Sequence, residues 1–175
     1  MLDIAVAYNR YIFVGQEYLT WLWFVSETDA DLFSSIHPDI TDFRIGNRIV
    51  LETRHGDDQI ETLTIKGDTA GLEEGKVALL KGGIVTEMQI VLLSNEHEWK
   101  FLLKGENTGL FNLKTPDTAG VKDEEELEGA VVEKIFLIEK SHQMMDAVFT
   151  FFLKKRVSED WKSILLKIRE WMKEK

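Results

Sequence analysis

The stretch GQEYLTWLWFVSE, Gly15 to Glu27, sets Trp21, Leu22, Trp23, Phe24 and Val25 side by side. Such a run must be enclosed on nearly every side or enter a bilayer. A bilayer needs about 20 apolar residues, and here Glu17, Ser26 and Glu27 close the run far short of that. The chain must therefore build a core around it. Strict alternation would suit a strand, whereas Tyr18, Trp21, Leu22 and Val25 share one helical face, with Leu19 and Trp23 on another. We expect a short, almost wholly buried helix that ends at the polar SETDAD.

Composition allows such a core, because the 175 residues are 44% hydrophobic and 10% aromatic, enough for one domain or a small domain with an appendage. A formal charge of −10 favours solubility and argues against a uniformly basic coat. It leaves room for local basic patches. With no cysteine, a disulfide framework, a thiolate zinc site and a cysteine nucleophile are excluded. The start, MLDIAVAYNRYIF, lacks the basic end and unbroken apolar run of a signal peptide. The expectation is a cytoplasmic protein with no membrane span.

From Phe43 to Lys66 the pattern becomes β-like, with Ile49 and Leu51 on one face against Arg48, Glu52 and Arg54, and HGDD turning the chain into QIETLTIKG. Asp68 or Thr69 can cap a following helix, with Glu73 and Glu74 in its first turn and Gly82-Gly83 at its end. A second strand pair follows across SNEH. Ile84, Met88, Ile90 and Leu92 share a face, as do Trp99, Phe101 and Leu103, while Glu87, Gln89, Glu98 and Lys100 alternate outward.

Between Gly105 and Glu128 the Gly-, Thr- and acid-rich sequence around Pro116 reads as a mobile connection. Beyond it Leu127, Val131, Ile135, Ile138, His142, Met145, Phe149 and Phe152 make a long helical stripe. Ser158 is a good N-cap for a last helix, whose apolar face is Trp161, Ile164, Leu165, Ile168, Trp171 and Met172. The expected fold is α+β: a small, mostly antiparallel sheet with packed helices, then a carboxyl-terminal helical hairpin. The expected organisation is an α+β domain over 1–115, an acidic linker over 116–126 and the hairpin over 127–175, packed on the first domain or separate from it.

Catalytic motifs find little support. GDTAGLEEGKV imitates a phosphate loop at Gly75-Lys76, but Ala70 holds the first glycine position and Val77 replaces the magnesium-binding hydroxyl. His37, His55, His97 and His142 show no ligand spacing, and we expect His142 to be a hydrogen-bonded interior residue of its apolar stripe. No serine sits in a GxSxG elbow. A carboxylate-only, metal-dependent nuclease is the remaining catalytic alternative, since its ligands need not be close in sequence. No cofactor, metal or small-molecule substrate is expected.

Charge distribution is more informative. Lys154, Lys155, Arg156, Lys162, Lys167, Arg169, Lys173 and Lys175 crowd the carboxyl-terminal end, and Arg44, Arg48, Arg54 and Lys66 lie on the first hairpin. Local clusters of this kind serve phosphate binding, although lysine and arginine on a helix commonly mark only a wet exterior. MMDAVFTFFL, Met144 to Leu153, is apolar over most of a helix circumference. It must pack on the α+β layer or on another subunit, for which a twofold dimer is the default.

Taken together, EYLTWLWFVSE, RIVLETR, LLKGGIVTEMQIVLLSNEHEWKFLL and the acidic-to-apolar helical tail resemble the recombination-associated RdgC family. The nearest elements are the L-T-W-L segment at Leu19 to Leu22 and the G-x-I-V-T strand start at Gly82 to Thr86. The likeness spans roughly 14–152 and the carboxyl-terminal half of a typical longer member. Gly83 and Glu87 depart from it, at positions where lysine is common. The resemblance implies a non-catalytic, nucleoid-associated, dimeric protein that binds duplex DNA without sequence preference and modulates recombination. The candidate phosphate contacts are then Arg44, Arg48, Arg54, Lys66, Lys154, Lys155, Arg156, Lys162 and Arg169, and Trp21, Trp23, Met144, Met145, Phe149 and Phe152 are core or subunit-interface candidates. The alternative is a protein-interaction or assembly module of the same fold that has lost DNA affinity.

Overall fold

A computed structural model describes residues 4–55, 59–66, 69–95, 97–118 and 124–174. The aromatic stretch lies in the second half of α1 (Ile4–Thr28), where Tyr18, Leu19, Trp21, Leu22, Trp23 and Val25 are all buried. The helix is longer than the short one expected. Gly15 is the reason that the sequence pattern weakened there: a Cβ on it would come within 1.8 Å of the Gly105 carbonyl oxygen. The helix thus crosses the turn at Gly105 backbone against backbone, which only a residue without a side chain permits.

SETDAD ends α1 as expected, but the chain then forms a further short helix, α2 (Asp31–Ile36). Its one buried residue, Phe33, stacks on Phe43 with ring centroids 3.9 Å apart. Tertiary stacking holds this helix, since six residues are too few to be helical alone.

β1 (Asp42–His55) and β2 (Gln59–Lys66) form the expected hairpin, paired from Arg48↔Lys66 to His55↔Gln59. HGDD falls largely outside the described residues. α3 (Thr69–Leu80) ends where Gly82 takes φ +91° and Gly83 N–H donates to the Ala78 carbonyl, the left-handed stop that glycine favours. Glu73 and Glu74 sit beyond its first turn, one correction to the expected capping, and Asp68 is outside the described residues.

β3 (Ile84–Ser94) and β4 (His97–Lys104) pair antiparallel, with Asn95 at φ 55° in the tight turn that suits a hairpin. Val85, rather than Ile84, shares the inner face with Met88, Ile90 and Leu92. A register shift against Val50 and Leu51 inserts one extra residue there and flips the alternation. The segment expected to be a mobile connection contributes a fifth strand, β5 (Leu110–Lys114), on the edge beside β4. The complete order is β2-β1-β3-β4-β5, antiparallel throughout.

The helical hairpin is formed by α4 (Glu124–Arg156) and α5 (Trp161–Trp171). Ser158 does not cap α5 with its side chain; its hydroxyl instead donates to the Lys155 carbonyl. α1 lies on β3, α3 covers β2 and β1, and the second half of α4 packs on α1 and α2. The Trp99 indole N–H donates to the Leu137 carbonyl over 2.9 Å, fastening α4 to β4 inside the protein. One core cluster runs from Tyr18 to Trp171 and takes in both the sheet and the hairpin.

Candidate functional site

Much of the sequence that looked chemical has a packing role. A Cβ on Gly75 would meet Ile65 at 2.4 Å and Trp23 at 2.6 Å, so this glycine lets α3 settle on the core. Lys76 Nζ reaches Glu27 Oε2 at 2.8 Å and lies 4.9 Å from the Trp171 ring centre. Glu27 also accepts the indole N–H of Trp23 at 2.6 Å and of Trp171 at 2.8 Å. A single carboxylate thus joins α1, α3 and α5, and the apparent glycine-lysine phosphate motif is part of that joint. Sequence reasoning missed this node, although Trp23 and Glu27 stand at helical spacing.

His37 Nδ1 accepts the backbone N–H of Asp39, while His97 and His142 are exposed. The expectation of an interior His142 is therefore corrected: the helix has turned it outward. The side chain of His55 is outside the described ones. Among the described residues no three His, Asp or Glu side chains are grouped to hold a metal ion. Among the described residues Tyr18 is the one strongly perturbed group: burial first, and the charge of Asp146 second, raise its pKa above the ordinary 10.0. Its hydroxyl has no hydrogen-bond partner among the described residues.

The candidate cations fall at several places. Arg44 Nε pairs with Asp42 at 2.7 Å. Arg48 Nε lies 2.9 Å from Glu87 Oε1, close enough for an ion pair though not aligned as a hydrogen bond. Lys104 approaches the other oxygen of Glu87 at 4.0 Å. Together with Glu52 and Glu106 these groups line a groove of about 280 Å³, where carboxylates outnumber cations. Lys155 pairs with Asp160 at 3.9 Å, and Arg156 Nε donates to Glu17 at 2.6 Å beside the rings of Phe13 and Trp161.

Lys66, Lys154, Lys162 and Arg169 are exposed, and the Arg54 side chain is outside the described ones. Lys162 and Arg169 stand seven residues apart on α5 and so share one outward face. The aromatic and methionine candidates are gathered instead. Trp21, Trp23, Met144, Met145 and Phe152 are buried and Phe149 is half-buried. Phe152 meets Trp21 at 5.5 Å and Tyr18 at 5.1 Å between ring centres.

The expected α4 stripe divides at Leu137. After it, Met145 and Phe152 are buried as the spacing predicts; before it, Leu127, Val131 and Ile135 are each 51% exposed and Ile138, just beyond, 37%. Val132 and Phe136, off the stripe, are 66% and 59% exposed. Between 127 and 136 every side chain is exposed except half-buried Ala130. The helix here is an arm of about 20 Å that leaves the core at Leu137, whose carbonyl receives the Trp99 indole. The sequence held a signal for it: Val132 and Phe136 widen the apolar surface beyond what one seam needs.

No protein-family model matches the chain, and no curated protein matches it.

Proposed function

We propose that the chain is a non-catalytic interaction module whose working surface is the amino-terminal half of α4. What carries this reading is the set of six large apolar side chains, Leu127, Val131, Val132, Ile135, Phe136 and Ile138, displayed on an arm outside the core. Water-exposed apolar patches of this extent mark association surfaces, and an isolated helix of this length is marginal in water without a partner. The ion pairs of Arg44, Arg48, Lys155 and Arg156 with the protein's own carboxylates point the same way, because they reduce the charge left to attract phosphate. The test is capture of partners from nuclease-treated extract by the wild-type chain and by Val131→Glu/Ile135→Glu. Loss of a stable partner in the double variant is expected; identical capture by both would sink the reading.

The second reading is the sequence-nonspecific duplex DNA binding that the RdgC resemblance implies. It is favoured by Lys154, Lys162 and Arg169, exposed cations that carry no ion pair among the described residues. Its measurement is fluorescence anisotropy with labelled duplex over a salt series. Backbone binding lowers log K by about 0.9 per phosphate contact for each tenfold rise in salt, and Lys162→Glu/Arg169→Glu should flatten that slope. Absence of binding at low salt removes this reading.

A further inference from the structure

We infer that the protein holds an uncharged amphiphile, a small molecule with an apolar body and one hydrogen-bonding end, in a cavity between α1 and α5, away from the α4 arm. The cavity measures about 310 Å³, at the lower end of the usual range for small-molecule sites, about 300–1,000 Å³. No motif announces it, because its walls come from four separate elements. Phe13, Gln16 and Glu17 share one face of α1, and Trp161, Leu165 and Ile168 share one face of α5, each set at helical spacing and turned to the gap. Leu79 near the end of α3 and Ile84 at the start of β3 complete the enclosure.

The gap is built into the fold. Glu17 accepts from Arg156 Nε at 2.6 Å, and further along α1 Glu27 accepts the Trp171 indole N–H at 2.8 Å. These two bonds fix how α1 and α5 lie against each other, and so fix the space they leave. Leu79, Trp161 and Ile168 are buried members of the core cluster, so these walls are set before any ligand arrives. Water gains few hydrogen bonds against such a surface, which favours an apolar occupant.

Charge selects the ligand's polar end. Glu17 is the charged group of the lining, and it is answered by Arg156, whose guanidinium also lies 5.7 Å from the ring centres of Phe13 and Trp161. The pair leaves no net charge for an ionic ligand to meet. Gln16 makes no side-chain hydrogen bond among the described residues, and its amide can both donate and accept. It lines this cavity and also the groove where Glu52, Glu87 and Glu106 face Arg48 and Lys104. Three carboxylates against two cations repel an anionic head. The hydrogen-bonding end therefore sits at Gln16 without a negative charge, and the apolar body runs along Leu165 and Ile168.

The probe is decanol, titrated by calorimetry into the full chain. Binding should saturate at one molecule per chain, and decanoate at neutral pH should bind about tenfold or more weakly, since its charge would be buried without a partner. Leu165 and Leu166 are neighbours on α5, 37% and 61% exposed, and of the two Leu165 lines the cavity. Leu165→Glu should weaken decanol by about tenfold or more, whereas Leu166→Glu should leave it unchanged, both with the wild-type near-ultraviolet aromatic signal. Phe13→Glu, at an exposed position on the facing helix, repeats the loss from α1. Gln16→Leu should weaken decanol about threefold or more, through the lost hydrogen bond.

No binding of decanol, uptake without saturation, decanoate bound as tightly as decanol, equal effects of the two α5 glutamates, or a Gln16→Leu chain with wild-type affinity overturns the inference. If the wild type takes no decanol and Leu165→Glu alone changes its sedimentation, the cavity belongs to a protein partner and the inference falls with it. None of these outcomes touches the reading of the α4 arm, whose Val131 and Ile135 lie outside the cavity.

Discussion

The two halves of α4 have similar apolar patterns and opposite surroundings. Met144, Met145, Val148 and Phe152 are buried against α1 and its neighbours, while Leu127, Val131, Ile135 and Phe136 stand in water. An apolar stripe at helical spacing therefore states that a face wants covering. Where the cover comes from is decided by what else the chain places there. α1 supplies it for the second half, through Tyr18 and Trp21 against Phe149 and Phe152, and nothing among the described residues supplies it for the first.

The sharpest way to test this contrast is one truncation in each half. Phe152→Ala should cost about 3–5 kcal/mol in chemical denaturation, the usual range for a core phenylalanine, because Phe152 is fully buried among Tyr18, Trp21 and Trp161. Phe136→Ala, at dilution, should stay within about 0.5 kcal/mol of wild type. Equal losses would break the comparison.

Gly15→Ala comes next, at about 1–3 kcal/mol by overpacking, since the new methyl would collide with the Gly105 carbonyl and lift α1 from the turn before β5. Thermal denaturation measures the loss. Glu27→Ala should cost about 1–3 kcal/mol by leaving the buried indole N–H groups of Trp23 and Trp171 without an acceptor. Glu27→Gln should recover part of that loss, because it keeps a carbonyl oxygen.

A small effect at neutral pH is expected of Tyr18→Phe, which removes a buried hydroxyl that makes no hydrogen bond among the described residues. Stability should be unchanged or up by about 1 kcal/mol or less. Its pH dependence is more telling. The pKa of Tyr18 is raised in the folded protein, so above the ordinary 10.0 the unfolded chain loses this proton while the folded chain keeps it. The folded state then binds more protons, and stability falls as pH climbs beyond that point. Tyr18→Phe should lessen the alkaline fall, measured by unfolding across pH 8 to 11, a range about one unit or more either side of the ordinary tyrosine pKa.

Local chemistry made the strongly periodic elements legible. Alternation marked β1, β2, β3 and β4; Gly82 marked the end of α3; three- and four-residue spacing marked α4 and α5. β5 was not legible, because Leu110 to Lys114 is short and polar in context and gains its conformation by pairing with β4. The buried strand position moved from Ile84 to Val85 for a similar reason, as the register shift depends on the neighbouring strand. At the site level, the candidate cations could be named from charge alone. Their pairing with Asp42, Glu87, Asp160 and Glu17 could not, since Arg156 and Glu17 are brought together only by the packing of α4 on α1.

The sequence by itself determined that Trp21 to Val25 would be enclosed, that the fold would be α+β with an antiparallel sheet, and that two helices would close the chain. These follow from periodicity and from the free energy of hiding apolar surface, properties each segment carries alone. The tertiary structure decided which apolar face stayed uncovered, which cations kept a free charge, and that Gly75 and Lys76 would serve a joint around Glu27. Those are relations between distant segments, and contact, unlike hydrophobicity, exists only once the partner has been placed.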